Sequence, residues 1–345
     1  MIDEVINGCM DPYLRENKVV VEDTSLASTL MNKGNFGSPQ SGGGSHLSLV
    51  EAAYLVERAR ISVKRSRKGR TASLAEIIAR GLDLDPSFLK NLMVFRDLRN
   101  RGLVVTGEDT GDWTVYPRGK RPSNGRADTW VNVYREHDPV SLLDIWRDSR
   151  SKENMRMGLV ASIVDSDWDV THYRIRCSLE ENTERSDLPG VKGKTARTPI
   201  EDGGAMISGK GVDDTVVKSC IGTALEGALL LSSEEDRMLF DGDADELKFR
   251  TYTDLRSRGY LPRTGFKYGA HFRVYTKISL EDHSKFLVHC VDRDRTFTWE
   301  ELSRTMRLSH SVRKRFLFSI PSEGIGEPHH HGNGPLYLEI AWTRL

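Results

Sequence analysis

The segment FRDLRNRGL, Phe95 to Leu103, returns as YTDLRSRGY, Tyr252 to Tyr260, keeping Asp97/Asp254, Leu98/Leu255, Arg99/Arg256, Arg101/Arg258 and Gly102/Gly259. Each retained residue stands 157 positions after its twin, and a repeat at a fixed offset decides how the rest of a chain is read. The same offset pairs TWVNVY (Thr129 to Tyr134) with FLVHCV (Phe286 to Val291), two β-rich apolar runs closed by charged residues. It also sets Ser141-x-x-Asp144 opposite Thr298-x-x-Glu301. In both, a hydroxyl is spaced to cap a first helical turn and an acid to reach back to it. The apolar runs LVASIV from Leu159 and FLFSI from Phe316 follow, as a strand after each helix would read.

These matches predict a mixed α+β chain built from a tandem duplicated unit. Each repeat has a small N-terminal α/β piece and then a mixed-sheet piece, ordered strand, loop, strand, helix, strand. The first repeat is read as residues 1–177 and the second as 205–345. Residues 178–204 join them, because that stretch is rich in charge, Pro and Gly and has no periodicity. GNFGSPQSGGGS, from Gly34 to Ser45, reads as a second flexible stretch before the helical pattern LSLVEAAYLVERA.

A length of 345 residues suits two cores, and 38% hydrophobic with 29% charged residues suits a soluble globular protein. No apolar run is long enough to cross a bilayer, and no secretory signal opens the chain. Cys9, Cys177, Cys220 and Cys290 lie far apart without a CxxC pair, which predicts neither a zinc site nor a disulfide framework and fits a reduced, cytoplasmic protein. Basic and acidic residues balance at 50 each, so affinity for nucleic acid has to come from local patches. Two such patches are RARISVKRSRKGR, Arg58 to Arg70, and RLSHSVRKR, Arg307 to Arg315.

The second repeat carries RGYLPRTGFKYGAHFRVY, then DHSKFLVHCV, then MRLSHSVRKRFLFSI. In this order and spacing the three segments resemble the tRNA-intron endonuclease family, whose catalytic half has a Gly-rich segment ending in FRVY, a strand opened by HS, and a helix-to-strand passage ending in SVRK. NKGNFG and LSLVEAAYLVERARI extend the likeness toward the N-terminus. Residue by residue, the resemblance implies that Tyr275, His283 and Lys314 are catalytic in a nuclease-like second repeat.

RNA cleavage needs groups of these types. A 2′-hydroxyl must lose a proton, the departing 5′-oxygen must gain one, and charge growing at phosphorus needs a fixed cation. Histidine, with an ordinary pKa of about 6.5, can deliver the proton, and lysine supplies the point charge. The phenol of Tyr275, with an ordinary value of about 10, acts as base only where cations favour its ionised form, so that role rests on the resemblance alone. The products implied are a 2′,3′-cyclic phosphate and a 5′-hydroxyl, with neither metal nor cofactor.

Read singly, Tyr275 is a packing residue, His283 a loop-end histidine and Lys314 part of a solvated basic face. Their ordered combination favours the catalytic reading. Arg307, Arg313 and, more weakly, Lys267 are candidate RNA contacts, with surface charge as the plain alternative. Arg58 to Arg70 reads as a solvated face. His329, His330 and His331 sit in EGIGEPHHHGNG, read as an inserted loop.

At the repeat offset Arg126 replaces His283 and Met157 replaces Lys314, while Tyr116 matches Tyr275 after a two-residue gap. The first repeat is therefore expected to be catalytically silent. The resemblance implies a homodimer with two active sites, precursor tRNA folded into a bulge-helix-bulge as substrate, and no membrane partner. It further implies that acids of a first-repeat loop, Glu136 and Asp138, enter a basic cleft of the second copy. Two other readings stand beside this one. The first is a non-catalytic structural subunit. The second is a metal-dependent nuclease, for which Glu281, Asp282, Asp292 and Asp294 would have to cluster.

Overall fold

The computed structural model describes residues 10–107, 111–177, 179, 182, 196–201, 203–209, 220–240, 246–276, 283–322 and 334–345. The first repeat opens with β1 (Tyr13–Arg15), β2 (Lys18–Val21), α1 (Thr24–Gly34), β3 (Ser38–Pro39), β4 (Ser45–Ser48), α2 (Leu49–Glu57) and α3 (Leu74–Leu84). The stretch read as flexible between Gly34 and Ser45 thus holds a strand, with Ser38 opposite His46 and Pro39 opposite Ser45. Helix α2 begins where Ser48 accepts from Glu51 N at 3.1 Å and Glu51 accepts from Ser48 N at 3.0 Å and Gly37 N at 2.9 Å. Such a reciprocal cap contributes about 1 kcal/mol and fixes where the helix starts.

Next come α4 (Phe88–Asn100), β5 (Val104–Gly107), β6 (Asp112–Tyr116), β7 (Thr129–Arg135), β8 (Pro139–Ser141), α5 (Leu142–Asn154), β9 (Gly158–Val164) and β10 (Val170–Arg176). The second repeat is β11 (Ala196–Pro199), β12 (Ala205–Ser208), β13 (Thr223–Leu225), β14 (Ala228–Leu231), α6 (Ser233–Phe240), α7 (Leu247–Ser257), β15 (Leu261–Thr264), β16 (Phe272–Tyr275), β17 (Phe286–Cys290), β18 (Thr296–Thr298), α8 (Trp299–Ser311), β19 (Arg315–Ile320) and β20 (Leu336–Trp342). β11 lies inside the stretch read as a linker and pairs along its whole length with β12.

The repeated DLR motif has a structural reason. Leu98 and Leu255 are fully buried at the ends of α4 and α7, and Asp97–Arg101 and Asp254–Arg258 are ion pairs one turn apart, each at 2.7 Å. Gly102 (φ +81°) and Gly259 (φ +83°) then reverse the chain into β5 and β15, a left-handed conformation that a side chain would strain.

The small sheets have the orders β1-β2-β4-β3 and β11-β12-β14-β13, the same path in each repeat. Both large halves join one ten-stranded sheet, β15-β16-β17-β19-β20-β10-β9-β7-β6-β5, which reads alike from either edge. Its seam is the antiparallel pair β10·β20, with Ile175 opposite Ile340. α5 and α8 cover the seam, and Trp146, Trp299, Tyr173, Leu336 and Ile340 form one core shared by both repeats. At about 25 cal/mol per Å² of apolar surface, burying side chains of this size makes that core a main source of stability.

Five residues separate β9 from β10, whereas fifteen separate β19 from β20. The histidines His329 to His331 fall in this longer connection and lie outside the described residues. Among those described, no helix is long and apolar enough to cross a membrane.

Candidate active site

Strand pairing alone brings the three candidate residues to one edge of the sheet. Tyr275 ends β16, which runs antiparallel to β17, and Lys285 N donates to Val274 O at 2.9 Å. His283 lies just before β17. β17 and β19 are parallel, with Phe286 opposite Arg315, so Lys314 precedes β19 beside the residues that precede β17. Arg315 N donates to Lys285 O at 3.1 Å, closing this edge.

The end of α8 sets where Lys314 points. Arg313 N donates to His310 O and Lys314 N to Ser309 O, each at 3.0 Å, while Arg313 takes φ +53°. A non-glycine residue held there costs of order 1 kcal/mol and persists because both flanking bonds define it. Lys314 Nζ donates to the Ser284 carbonyl at 2.6 Å, with Ser284 buried, and lies 5.6 Å from the centre of the Tyr268 ring. Among the described residues no carboxylate lies within ion-pair distance of it. Its neighbour Arg315 does the opposite, turning inward to a double contact with the buried Glu339. Of the RKR run, Arg313 is exposed, Lys314 half-buried and Arg315 structural. Tyr275 is buried to 7% exposure and His283 is exposed. A half-buried ammonium, a histidine open to solvent and a tyrosine therefore share one edge. That set can bind a phosphate, donate a proton and accept one.

The first repeat has the same scaffold with other side chains. Tyr116 ends β6, Arg126 precedes β7 and Met157 precedes β9. Arg126 is turned to the Met155 carbonyl at 3.3 Å and Met157 is buried.

The remaining candidates separate. Arg307 is exposed and lines a cavity of about 280 Å³ with Thr171, Tyr173, Met306, His310 and Trp342. Arg313 and Lys267 are exposed, and Lys267 lies beside Tyr268. The C-terminal part of the Arg58–Arg70 run is occupied within the chain, where Arg67 meets Glu22 and Arg65 and Arg70 meet Glu76. Asp138 accepts from Lys90 Nζ at 3.2 Å and Arg135 N at 2.8 Å, and Glu136 accepts from Ser166 Oγ. Ser166 belongs to the β9–β10 turn, whose Asp165 accepts from the backbone N–H of Asp167 and Asp169. Glu136 and Asp138 thus form one acidic tip with that turn. Glu281 and Asp282 lie outside the described residues, and among those described no three His, Cys, Asp or Glu side chains are grouped to hold a metal.

Two contributors escaped the sequence reading. Asn182 donates through Nδ2 to the Gly259 carbonyl at 2.8 Å and to that of Thr276, bracing the residue after Tyr275. Phe266 projects into solvent from the Gly265–Gly269 turn. Asparagine in a polar linker leaves no pattern, whereas the glycines bracketing FKY were a usable sign of a fixed turn.

Residues 88–172 and 246–325 match the family model of the tRNA intron endonuclease catalytic C-terminal domain, and residues 10–78 that of its N-terminal domain. The chain is 32% identical to the tRNA-splicing endonuclease of Methanococcoides burtonii, over 88% of this chain and 94% of that protein. It is 31% identical to the tRNA-splicing endonuclease of Methanosarcina acetivorans, over 97% and 100%. It is 29% identical to that of Haloferax volcanii, over 84% and 88%.

Proposed function

The chain belongs to the tRNA intron endonuclease family, and from that premise we propose that it cuts precursor tRNA at bulge-helix-bulge junctions without a metal, leaving 2′,3′-cyclic phosphate and 5′-hydroxyl ends. As a member it is an endoribonuclease of tRNA intron excision. The finer reading rests on one observation: at the shared edge of β16, β17 and β19 the second repeat offers Tyr275, His283 and a Lys314 with no acid in ion-pair distance among the described residues, whereas the first offers Tyr116, Arg126 and Met157.

Tyr275, in its ionised form, accepts the proton of the substrate 2′-hydroxyl, and the 2′-oxygen attacks the adjacent phosphorus. The P–O5′ bond breaks as His283 delivers a proton to the departing 5′-oxygen. Lys314 stabilises the charge on the phosphoryl oxygens from a position already fixed by Ser284. Both new ends follow, because the nucleophile belongs to the RNA.

The first repeat, residues 1–177, then serves assembly, and two copies supply two active sites for the two scissile bonds of an intron. A cleft of about 220 Å³ lined by Lys33, Arg60, Arg99 and Arg121 supports this reading, since it is a receptor of the right sign for the acidic tip of a second copy. Arg307 on α8 and Arg313 just after it are exposed cations, which supports reading them as RNA contacts. Recognition of such an RNA rests on shape and splayed bases.

The test is cleavage of a bulge-helix-bulge RNA in EDTA with identification of the end groups. Cyclic phosphate and 5′-hydroxyl ends are expected. A strict requirement for Mg²⁺, or 5′-phosphate ends, would overturn the reading.

A further inference from the structure

Phe266 is 89% exposed, while the next most exposed large hydrophobic side chain among the described residues, Met10, reaches 57%. It stands on the 3-10 turn Phe266–Tyr268 between β15 and β16. The backbone around it is tightly tied. Gly265 N donates to His271 O at 3.0 Å, Tyr268 N to Gly265 O at 2.8 Å and Gly269 N to Phe266 O at 3.1 Å. Phe266 N meets Thr264 Oγ1 at 3.3 Å. Gly265 admits no side chain, because a Cβ there would lie 2.7 Å from the Ala270 carbonyl oxygen, and Gly269 takes φ +64°. The fold therefore holds an aromatic ring in water on a rigid turn, a placement that apolar burial opposes.

The neighbours identify the occupant. Thr264, Lys267 and Gly269 are exposed around the ring, so no apolar rim surrounds it as at a protein-binding anchor. Two cations stand by the neighbouring ring of the same turn. Lys267 Nζ lies 5.2 Å and the candidate catalytic Lys314 Nζ 5.6 Å from the centre of the next ring, Tyr268. A bare aromatic face beside lysines is the chemistry that takes an unpaired nucleobase and its phosphate. The turn is also confined to one repeat. Between β5 and β6 the chain has only Glu108, Asp109, Thr110 and Gly111, with no aromatic residue and two acids. The ring is thus found only where His283 and Lys314 are.

We propose that Phe266 is a stacking platform for an unpaired base of the RNA, next to the phosphate held by Lys314. This rests on the RNA-cleavage reading above. The ring does not touch the reacting atoms. It fixes the extruded base, and through it the register of the scissile bond.

The experiment uses the full chain and a bulge-helix-bulge RNA carrying 2-aminopurine at each unpaired position in turn. In the Lys314→Ala background, binding should quench the probe at one bulge position. Phe266→Leu should abolish that quench and Phe266→Trp keep it. In otherwise wild-type protein, Phe266→Leu and Phe266→Ala should lower kcat/KM about tenfold or more. An abasic site at the quenched position should lower wild-type cleavage similarly and remove the difference between variants. Thermal melts should not move, since the side chain is almost wholly exposed. Quenching that survives Phe266→Leu, or equal losses on intact and abasic RNA, would overturn the platform. Cleavage that proves metal-dependent would overturn the earlier reading instead, while the quench, which needs only binding, still decides this one.

Discussion

Val140 faces Phe297 in the two-strand ribbon between β8 and β18, and the two residues are equivalents in the two repeats. Their neighbours exchange around them, Ser141 with Thr296 and Pro139 with Thr298, so the approximate two-fold axis of the chain passes through this pair. A side chain in one repeat and its equivalent in the other therefore occupy equivalent backbone settings, and differences in chemistry between them reside in the side chains.

Tyr116 and Tyr275 allow a direct comparison, because each ends the second strand of its half-sheet. Tyr275→Phe is expected to slow the single-turnover cleavage step strongly, whereas Tyr116→Phe leaves it unchanged, since Arg126 holds its proton too tightly to act as donor and is turned to the Met155 carbonyl, and Met157 carries no charge. Equal losses in the two variants would show that both repeats cut.

Removing Lys314 or His283 should separate chemistry from binding. Lys314→Ala loses a cation that Ser284 has already positioned, and His283→Ala loses the donor to the leaving oxygen. Each should reduce the cleavage rate by about a hundredfold or more while RNA affinity persists. Single-turnover rates and gel-shift binding measured on the same preparations decide it. A rate near wild type in either variant would remove that residue from the mechanism.

Much of this was legible in the sequence where the repeats stay in register. The offset of 157 places β15 opposite β5, α8 opposite α5 and β19 opposite β9 without adjustment. The N-terminal pieces follow another spacing. Ser232 and Glu235 repeat the cap of Ser48 and Glu51, with Ser232 N and Gly222 N each 2.9 Å from the Glu235 carboxylate, yet they stand 184 residues later. Six residues separate α6 from α7, where thirty, α3 included, separate α2 from α4, so a search at one offset misses the match. The parallel pairing of β17 with β19 is also not written locally, although it is what brings His283 and Lys314 together. The glycines around Phe266 mark a turn, but its exposure was illegible for a similar reason. An aromatic residue before a strand reads as core, and only the tertiary turn reveals it in solvent.

The buried contact between α4 and β10 predicts a pH-dependent stability. His172, 2% exposed, places Nδ1 2.7 Å from Ser162 Oγ and Nε2 2.8 Å from Asp97 Oδ2, and Arg101 holds the same carboxylate at 2.7 Å. Burial raises the Asp97 pKa, but the bonds to His172 and Arg101 outweigh it and hold the group below its ordinary 3.8. A depressed carboxylate contributes stability above the unfolded value that is lost as pH falls through the folded one. Asp97→Asn should thus lower stability at neutral pH by about 1–3 kcal/mol and flatten the decline below about pH 4. Urea midpoints measured from pH 3 to 7 check this, and an acid slope unchanged in the variant would assign the decline to other groups.

The acidic tip gives the proposed homodimer a test. Glu136 and Asp138 are anchored by Ser166, Lys90 and Arg135 N, while the carboxylates of Asp167 and Asp169, on the adjoining turn, carry no hydrogen bond among the described residues. The anchored pair holds the tip in shape, and the outer pair is free to enter a basic cleft such as that of Lys33, Arg60, Arg99 and Arg121. An exposed ion pair contributes only about 0–1 kcal/mol, but cations left uncompensated in a cleft cost several times more. Replacing Glu136 and Asp138 together by Ala should therefore shift the mass seen by light scattering from dimer toward monomer and weaken cleavage, with the largest difference from wild type at low salt, where these charges are least screened. Because Asp138 also binds Lys90, Asp167→Ala with Asp169→Ala serves as the second variant, expected to dissociate the dimer without moving the melting temperature. Both double variants remaining dimeric and active at low salt would make the tip a solvated turn, and the assembly would then have to rest on another surface.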